Sequence, residues 1–435
     1  MEKAQRVLEE SRNLIQEDEF KARNRKSEKV FLRTRSLTFI TVIILVLRKS
    51  VKSLQCLVNE ALISLGVDTV TASAFSQARY NLKHTAFIEL NQKAIVDVFY
   101  GDDDYAKFWN KRILAVDGSK IRLPNTEEIC RSFGTISYSQ GENSEVQGQH
   151  PYALVSVLYD VLNRIAIDST LAKADAYEVD LAMAHLKHTQ PNDLLVMDRN
   201  YPSYLMLAAL GHRDRDFVIR CSAVSFGPAR KMLKGEGKDS QIHTLIPCAE
   251  QRKAIKSAGL PEIIQVRFVR VRLKTGEIEV LVSSLLDEGV YPTHEFLELY
   301  RLRWGIETFY GLLKTRLNLE NFTGTGVEAV KQDFFATIYL SGMESILTGI
   351  AQGILDRKLT QYPQNVNRAV SFNAIKTEAF ILLASDHPIN DVLERMTELF
   401  TKNPCSVRKH RNPPRKKTSA TNLINHHKRL KKQCF

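Results

Sequence analysis

Arg112-Ile113-Leu114-Ala115-Val116-Asp117-Gly118 is the stretch on which the fold turns. A short apolar run closes on an acid and a glycine, the pattern of a buried strand. Before it, residues 1 to about 100 carry apolar positions at helical spacing and almost no strand signal. After Trp109 the pattern alternates. Residues 152–159 and 164–171 read as a strand pair around a turn at 160–163, and 178–188 as a helix. Leu194-Leu195-Val196-Met197 repeats the first device and ends in Asp198, with a helix from about Pro202 and a strand at 217–221 behind it. Such alternation predicts an α/β domain. The runs 263–273 and 278–285 flank Lys274-Thr275-Gly276-Glu277 as a hairpin, where a plain α/β domain needs only one crossover. Residues from about 222 to 290 are therefore expected to be a β-rich insertion.

The length of 435 residues predicts two or three domains. Hydrophobic residues at 44%, charged ones at 25% and only 33 Gly plus Pro exclude fibrous and disordered classes. Cys56, Cys130, Cys221, Cys248, Cys405 and Cys434 are far apart and form no C-x-x-C pair, which favours a reducing compartment over a disulfide framework or zinc ribbon. The longest apolar stretch, 37–47, falls short of the roughly 20 residues a membrane span needs and begins too late for a signal peptide. A buried helix in a cytoplasmic protein is expected.

Net charge is +12, and residues 401–435 hold eleven Lys and Arg with no Asp or Glu. Removing those eleven leaves the first 400 residues near +1. A nearly neutral body with a basic tail is either a chain that gains polyanion affinity from an arm or one with a solvated terminus. Within the helical N-terminal region, residues 51–65, Gly66 and Ala74-Phe75-Ser76-Gln77-Ala78-Arg79 give helix, turn, helix. This offers Ser76, Gln77 and Arg79 to a DNA groove, or else is a plain helical hairpin with a polar outer face.

Residues 293–318 predict one long helix capped by Thr293. At about 100° per residue, Tyr300, Arg303, Glu307 and Lys314 share an arc of about 60°, opposite Leu299, Leu302, Ile306, Phe309, Leu313 and Leu317. The polar face presents a phenol, an acid and two cations in line, or is a solvated face with an Arg303–Glu307 pair worth about 0.3–0.5 kcal/mol. Asp117 and Asp198 each close a strand, where ligand groups of open α/β sheets gather, and Glu307 lies on a helix able to pack beside them. Three carboxylates without His or Cys neighbours suit Mg²⁺ or Mn²⁺. Two such ions about 3.5–4 Å apart activate an attacking oxygen and stabilise the leaving oxygen of a phosphodiester.

The spacing Tyr300-x2-Arg303-x3-Glu307-x6-Lys314 resembles the signature of IS4-family DDE transposases. Val116-Asp117-Gly118-Ser119 and Met197-Asp198-Arg199-Asn200-Tyr201-Pro202-Ser203 match that family's first and second acid motifs, with the β-rich insertion before the third. Phe31-Leu32-Arg33-Thr34-Arg35 and residues 73–79 extend the resemblance to roughly residues 30–345. It implies an RNase H-like catalytic domain at 106–345, a helical DNA-binding domain at 1–105, a helical region at 346–400 and the basic tail. It also implies Asp117, Asp198 and Glu307 as catalytic residues holding two Mg²⁺ or Mn²⁺ ions, and Tyr300, Arg303 and Lys314 on the phosphate of the element end. Double-stranded DNA at the element ends and target, a homodimer in the DNA complex and a bacterial, nucleoid-associated location follow from the same resemblance. Asn200 stands where the family commonly has Gly, and 147–154 lacks an Arg expected before the second strand. The competing readings are a metal-dependent nuclease without strand transfer and a transposase-derived DNA-binding or regulatory protein that no longer cleaves.

Overall fold

The structure, a computed structural model, describes residues 1–32, 36–138, 148–273 and 275–408. Arg33-Thr34-Arg35 of the N-terminal match, Gln147, Lys274 and the basic tail from residue 409 lie outside the described residues. The chain forms two compact units. One holds Asp104–Lys120 and Leu154–Tyr310; the other holds Met1–Asp103, Ile121–Ala153 and the chain from Gly311 onward.

The first unit is built on a mixed sheet. Its strands are β1 (Ile113–Arg122), the later part of β3 (Gly148–Asp160), β4 (Ile165–Lys173), β5 (Leu194–Met197), β6 (Asp216–Cys221), β7 (Ser240–Leu245), β8 (Ile264–Arg272) and β9 (Ile278–Ser283). They lie in the order β4-β3-β1-β5-β6-β9-β8-β7. β2 (Thr135–Tyr138) pairs with residues 148–151 of β3 within the other unit. β1, β5 and β6 run parallel, with Ile113 opposite Leu194 and Leu194 opposite Asp216. All four residues of β5 are buried, as a strand covered on both faces requires. Arg112 and Asp193, both buried, hold the start of this register with bonds of 2.9 and 2.7 Å.

The expected hairpin at 263–285 is β8 and β9, with Arg272 opposite Ile278 and Gly276 in the left-handed turn at φ 87°. It joins the main sheet through β9 on β6. The β-rich insertion thus widens the sheet and adds the helices Gly227–Leu233 and Ala249–Ser257. One strand differs from expectation. β1 runs through Asp117 and Gly118 to Arg122, because β3 remains its neighbour after β5 has stopped at Met197.

The helical unit contains Phe39–Leu47, whose nine residues are buried except Ile40, as its apolar run demands. Val327–Leu347 is the long buried helix of this unit. Residues 346–400, expected as a separate region, fold here with the N-terminal helices. No single helix among the described residues is long and apolar enough to cross a membrane.

Candidate active site

Asp117 and Asp198 are brought together by strand register. Val116 is the Cα partner of Met197, so each acid is the next residue of its strand, side by side where β5 ends. The Asp117 carboxylate accepts a hydrogen bond from its neighbour's backbone N–H at Gly118, 2.9 Å. Burial pushes the Asp117 carboxyl up to about 6, and the charges of Glu178 and Glu307 add to this against the Gly118 bond and Arg303. The Asp198 carboxylate makes no hydrogen bond or ion pair among the described residues. Behind it the Tyr201 N–H bonds the Asp198 carbonyl at 3.2 Å, and Ser203 caps the helix Tyr204–Gly211. Asn200 does not adopt a positive φ, so this turn needs no glycine and the expected left-handed backbone is not used.

Glu307 arrives on a broken helix. Instead of one helix over 293–318, the chain forms a 3₁₀ turn at Thr293–Glu295, helices Phe296–Arg301 and Trp304–Gly311, and a π turn at Leu312–Arg316. Bonds from Leu302, Arg303, Gly305 and Ile306 N–H each reach the carbonyl three residues back and tighten the chain between the two helices. Gly305 lets this tight turn sit against Val161; a Cβ there would lie 3.1 Å from the Val161 Cβ. The Tyr310 hydroxyl donates to the Asp117 carbonyl at 2.7 Å, and Phe309 stacks on Tyr159 at 4.3 Å. The helix carrying the third acid is therefore tied directly to the strand carrying the first.

The break overturns the expected open polar face. Tyr300 and Arg303 are each 3% exposed. Arg303 donates to Glu307 at 2.8 Å and stacks its guanidinium 4.8 Å over the Trp304 ring, while its Nε and the Tyr300 hydroxyl are buried without a hydrogen-bond partner among the described residues. Burial raises the Tyr300 phenol pKa. Lys314 stands in the π turn, within the helical unit. Each residue there rotates less than in an α-helix, so the 100° projection does not reach it. Its ammonium is half-buried, with its pKa lowered by burial against the charge of Glu320.

The N-terminal candidates divide. The helices Leu54–Ser64 and Ala72–Tyr80 form as expected around Gly66 at φ 65°, and Ser76 and Gln77 are exposed on the second. Arg79 is not offered to a groove. It is 3% exposed and donates to Gln332, Thr323, the Ala329 carbonyl and Asp333 at 2.5–2.7 Å. A cation whose donors are engaged by buried partners holds the fold together, and this placement does not present Arg79 to a groove as the sequence led us to expect.

Glu178 was read only as part of a helix. It opens the helix Glu178–His185, and its side chain fills the space in front of Gly118: a Cβ at that glycine would lie 2.8 Å from the Glu178 Cδ and Oε1. The signal available was its place at the start of the helix that leads toward the second acid-bearing strand. Among the described residues, no three His, Cys, Asp or Glu side chains stand ready-made as a metal cage. Glu307 is occupied by Arg303. The acids nevertheless form an all-oxygen set, and the buried, unpartnered Tyr201 hydroxyl feels the charges of Asp117, Glu178 and Asp198 together. That donor set fits a hard divalent cation.

The transposase DDE domain family matches residues 108–340, more than half of the chain, and the chain belongs to that family. The chain is similar to the transposase InsG for insertion sequence element IS4 of Escherichia coli (strain K12), 23% identical over 273 residues. The match covers 62% of this chain and 59% of that protein, so the chain spans about three-fifths of the relative's length. A cryo-electron microscopy structure of the piggyBac transposase synaptic complex with hairpin DNA covers 98% of this chain and 86% of its own. At a TM-score of 0.40 and 10% identity, that likeness carries no weight for fold or function.

Proposed function

We propose that the chain is the DNA transposase of an insertion sequence, with an RNase H-like domain that cleaves DNA at terminal inverted repeats and joins the freed 3′ ends to target DNA. The observation that carries this reading is the register Val116–Met197, which sets Asp117 beside Asp198, together with the Tyr310 hydroxyl that ties the Glu307 helix to Asp117. Asp117, Asp198 and Glu307 would hold two Mg²⁺ or Mn²⁺ ions, which when bound supply activation of the attacking oxygen and stabilisation of the leaving one.

The protein's own residues have separate tasks. Arg112 and Asp193 keep the two strands in register, and Tyr310 keeps the third acid near them. Arg303, now on Glu307, is a cation in direct contact with one of the three acids. Its unpartnered Nε leaves capacity for a phosphate oxygen of the element end. Tyr300 acts on that phosphate when its buried side chain turns outward on DNA binding, and the half-buried Lys314 contacts DNA phosphate as well. Gln77 and the exposed face of its helix contact the DNA duplex, and two copies of the chain pair the two element ends. The test is a strand-transfer assay with the full chain, a donor DNA bearing the terminal repeats and a supercoiled target. Joined product in Mg²⁺ supports the reading. Nicking without joining would leave a nuclease, and end binding without nicking a regulatory protein.

A further inference from the structure

Glu178 has no role in the three-acid scheme, yet the fold makes room for it. Gly118, in the middle of β1, has no side chain, and the space a Cβ would need is taken by the Glu178 carboxylate. The helix that begins at Glu178 is locked at its other end. His185 is completely buried, pairs through Nδ1 with Asp168 at 2.7 Å and through Nε2 with Ser156 at 3.0 Å, and so ties the helix to β3 and β4. Glu178 is thus placed beside the Asp117–Gly118 peptide by a fixed element.

Its carboxylate makes no hydrogen bond or ion pair among the described residues; its interactions are electrostatic, with Asp117, Tyr201 and Tyr310. Asp117, Asp198 and Glu178 repel one another, Arg303 offsets this without bringing Asp117 back to its ordinary pKa, and burying part of that charge is costly unless something compensates it. Tyr201 provides the independent sign of a missing partner. It is 1% exposed, its hydroxyl has no hydrogen-bond partner among the described residues, and Asp117, Glu178 and Asp198 all act on it. A buried hydroxyl left open among three acids marks a place where a cation with its water belongs.

We propose that Glu178 is a fourth carboxylate of the cation site, acting with Asp117, Asp198 and Glu307 and adding negative charge to a set whose third acid is paired with Arg303. This rests on the metal-dependent reading above. Glu178 accepts hydrogen bonds from the hydration shell of a divalent cation, and the Tyr201 hydroxyl gains an oxygen to bond. Supporting residues of this kind change metal affinity by about 10–100-fold when removed.

The test is a titration of the full chain with Mn²⁺ alone, with free Mn²⁺ followed by electron paramagnetic resonance. Asp117→Asn and Glu178→Gln are each expected to weaken binding about tenfold or more, and Glu178→Asp, which keeps the charge but withdraws it by one methylene, to fall between. Weakened binding in Asp117→Asn with wild-type affinity in Glu178→Gln overturns the inference and leaves the three-acid reading standing. Wild-type affinity in both variants overturns the three-acid reading itself. If Glu178→Gln fails to fold by circular dichroism, wild-type Mn²⁺ affinity in Glu178→Asp overturns the inference.

Discussion

Arg79 in the helical unit and Arg303 beside the acids were both offered to DNA by the sequence, and both are 3% exposed. They differ in what surrounds the charge. Arg79 spends its guanidinium on four buried or half-buried partners, including Asp333, which is itself fully buried. Among the described residues Arg303 has one ion-pair partner, the half-exposed Glu307, and a buried Nε without a hydrogen-bond partner. Burial alone therefore does not separate a structural arginine from one held ready. The count of unmet donors does.

The largest effect expected from this contrast is on stability at Arg79. Arg79→Ala leaves Asp333 buried without its cation, which costs about 3–5 kcal/mol. Urea unfolding followed by circular dichroism reads this directly. A variant that kept wild-type stability but lost end binding would return Arg79 to the DNA surface.

Next is Asp168, held by His185 at 2.7 Å. Burial raises its pKa, but the hydrogen bond and charge of His185, with His188 adding, outweigh it and leave the carboxyl below its ordinary value. A depressed acid stabilises the fold above the unfolded pKa, near 4, and loses that contribution as pH falls through the folded value. Asp168→Asn should cost about 2 kcal/mol at pH 7 and progressively less below pH 4. A difference between wild type and variant that stays constant from pH 7 to pH 3 would contradict the assignment.

Arg303→Ala is expected to cost stability only about 1 kcal/mol, for a partly screened ion pair and a cation–π contact with Trp304. Its effect on end cleavage should be larger, about a hundredfold, if the unmet donor serves the reacting phosphate. A stability loss as great as that of Arg79→Ala, with cleavage unaltered, would erase the contrast. The smallest structural effect belongs to the tail. Deleting 409–435 removes nine Lys and Arg and should leave the unfolding midpoint unchanged. The salt dependence of DNA binding should flatten by about 0.9 in log–log slope for each DNA phosphate that the tail neutralises. An unchanged slope would mean a solvated terminus.

The strand-borne acids were legible because a buried strand shows itself in a few residues and register does the rest. Leu194–Met197 lies where its apolar run places it, and Asp198 follows. The sequence puts Asp117 at a strand end and the structure puts it within a longer strand; residue pattern gives the strand at 152–159 but not its pairing with β1, which carries β1 onward. The helix-borne residues were less legible. A projection at 100° per residue assumes an unbroken helix, and the tight turn at 302–306 and the π turn at 312–316 depend on packing, such as Gly305 against Val161. In the sequence Gly118 only closes an apolar run. Its use, the space it leaves for Glu178, depends on a residue sixty positions away.

The measurement that bears most directly on the site is Mg²⁺-dependent nicking of end-bearing DNA by Asp117→Ala, Asp198→Ala and Glu307→Ala, with end binding measured in parallel on the same preparations. Loss of nicking in all three with binding largely retained is the predicted result, since in the proposed function these side chains hold cations and not phosphates. A folded variant of any of the three that nicks at near the wild-type rate would contradict the account.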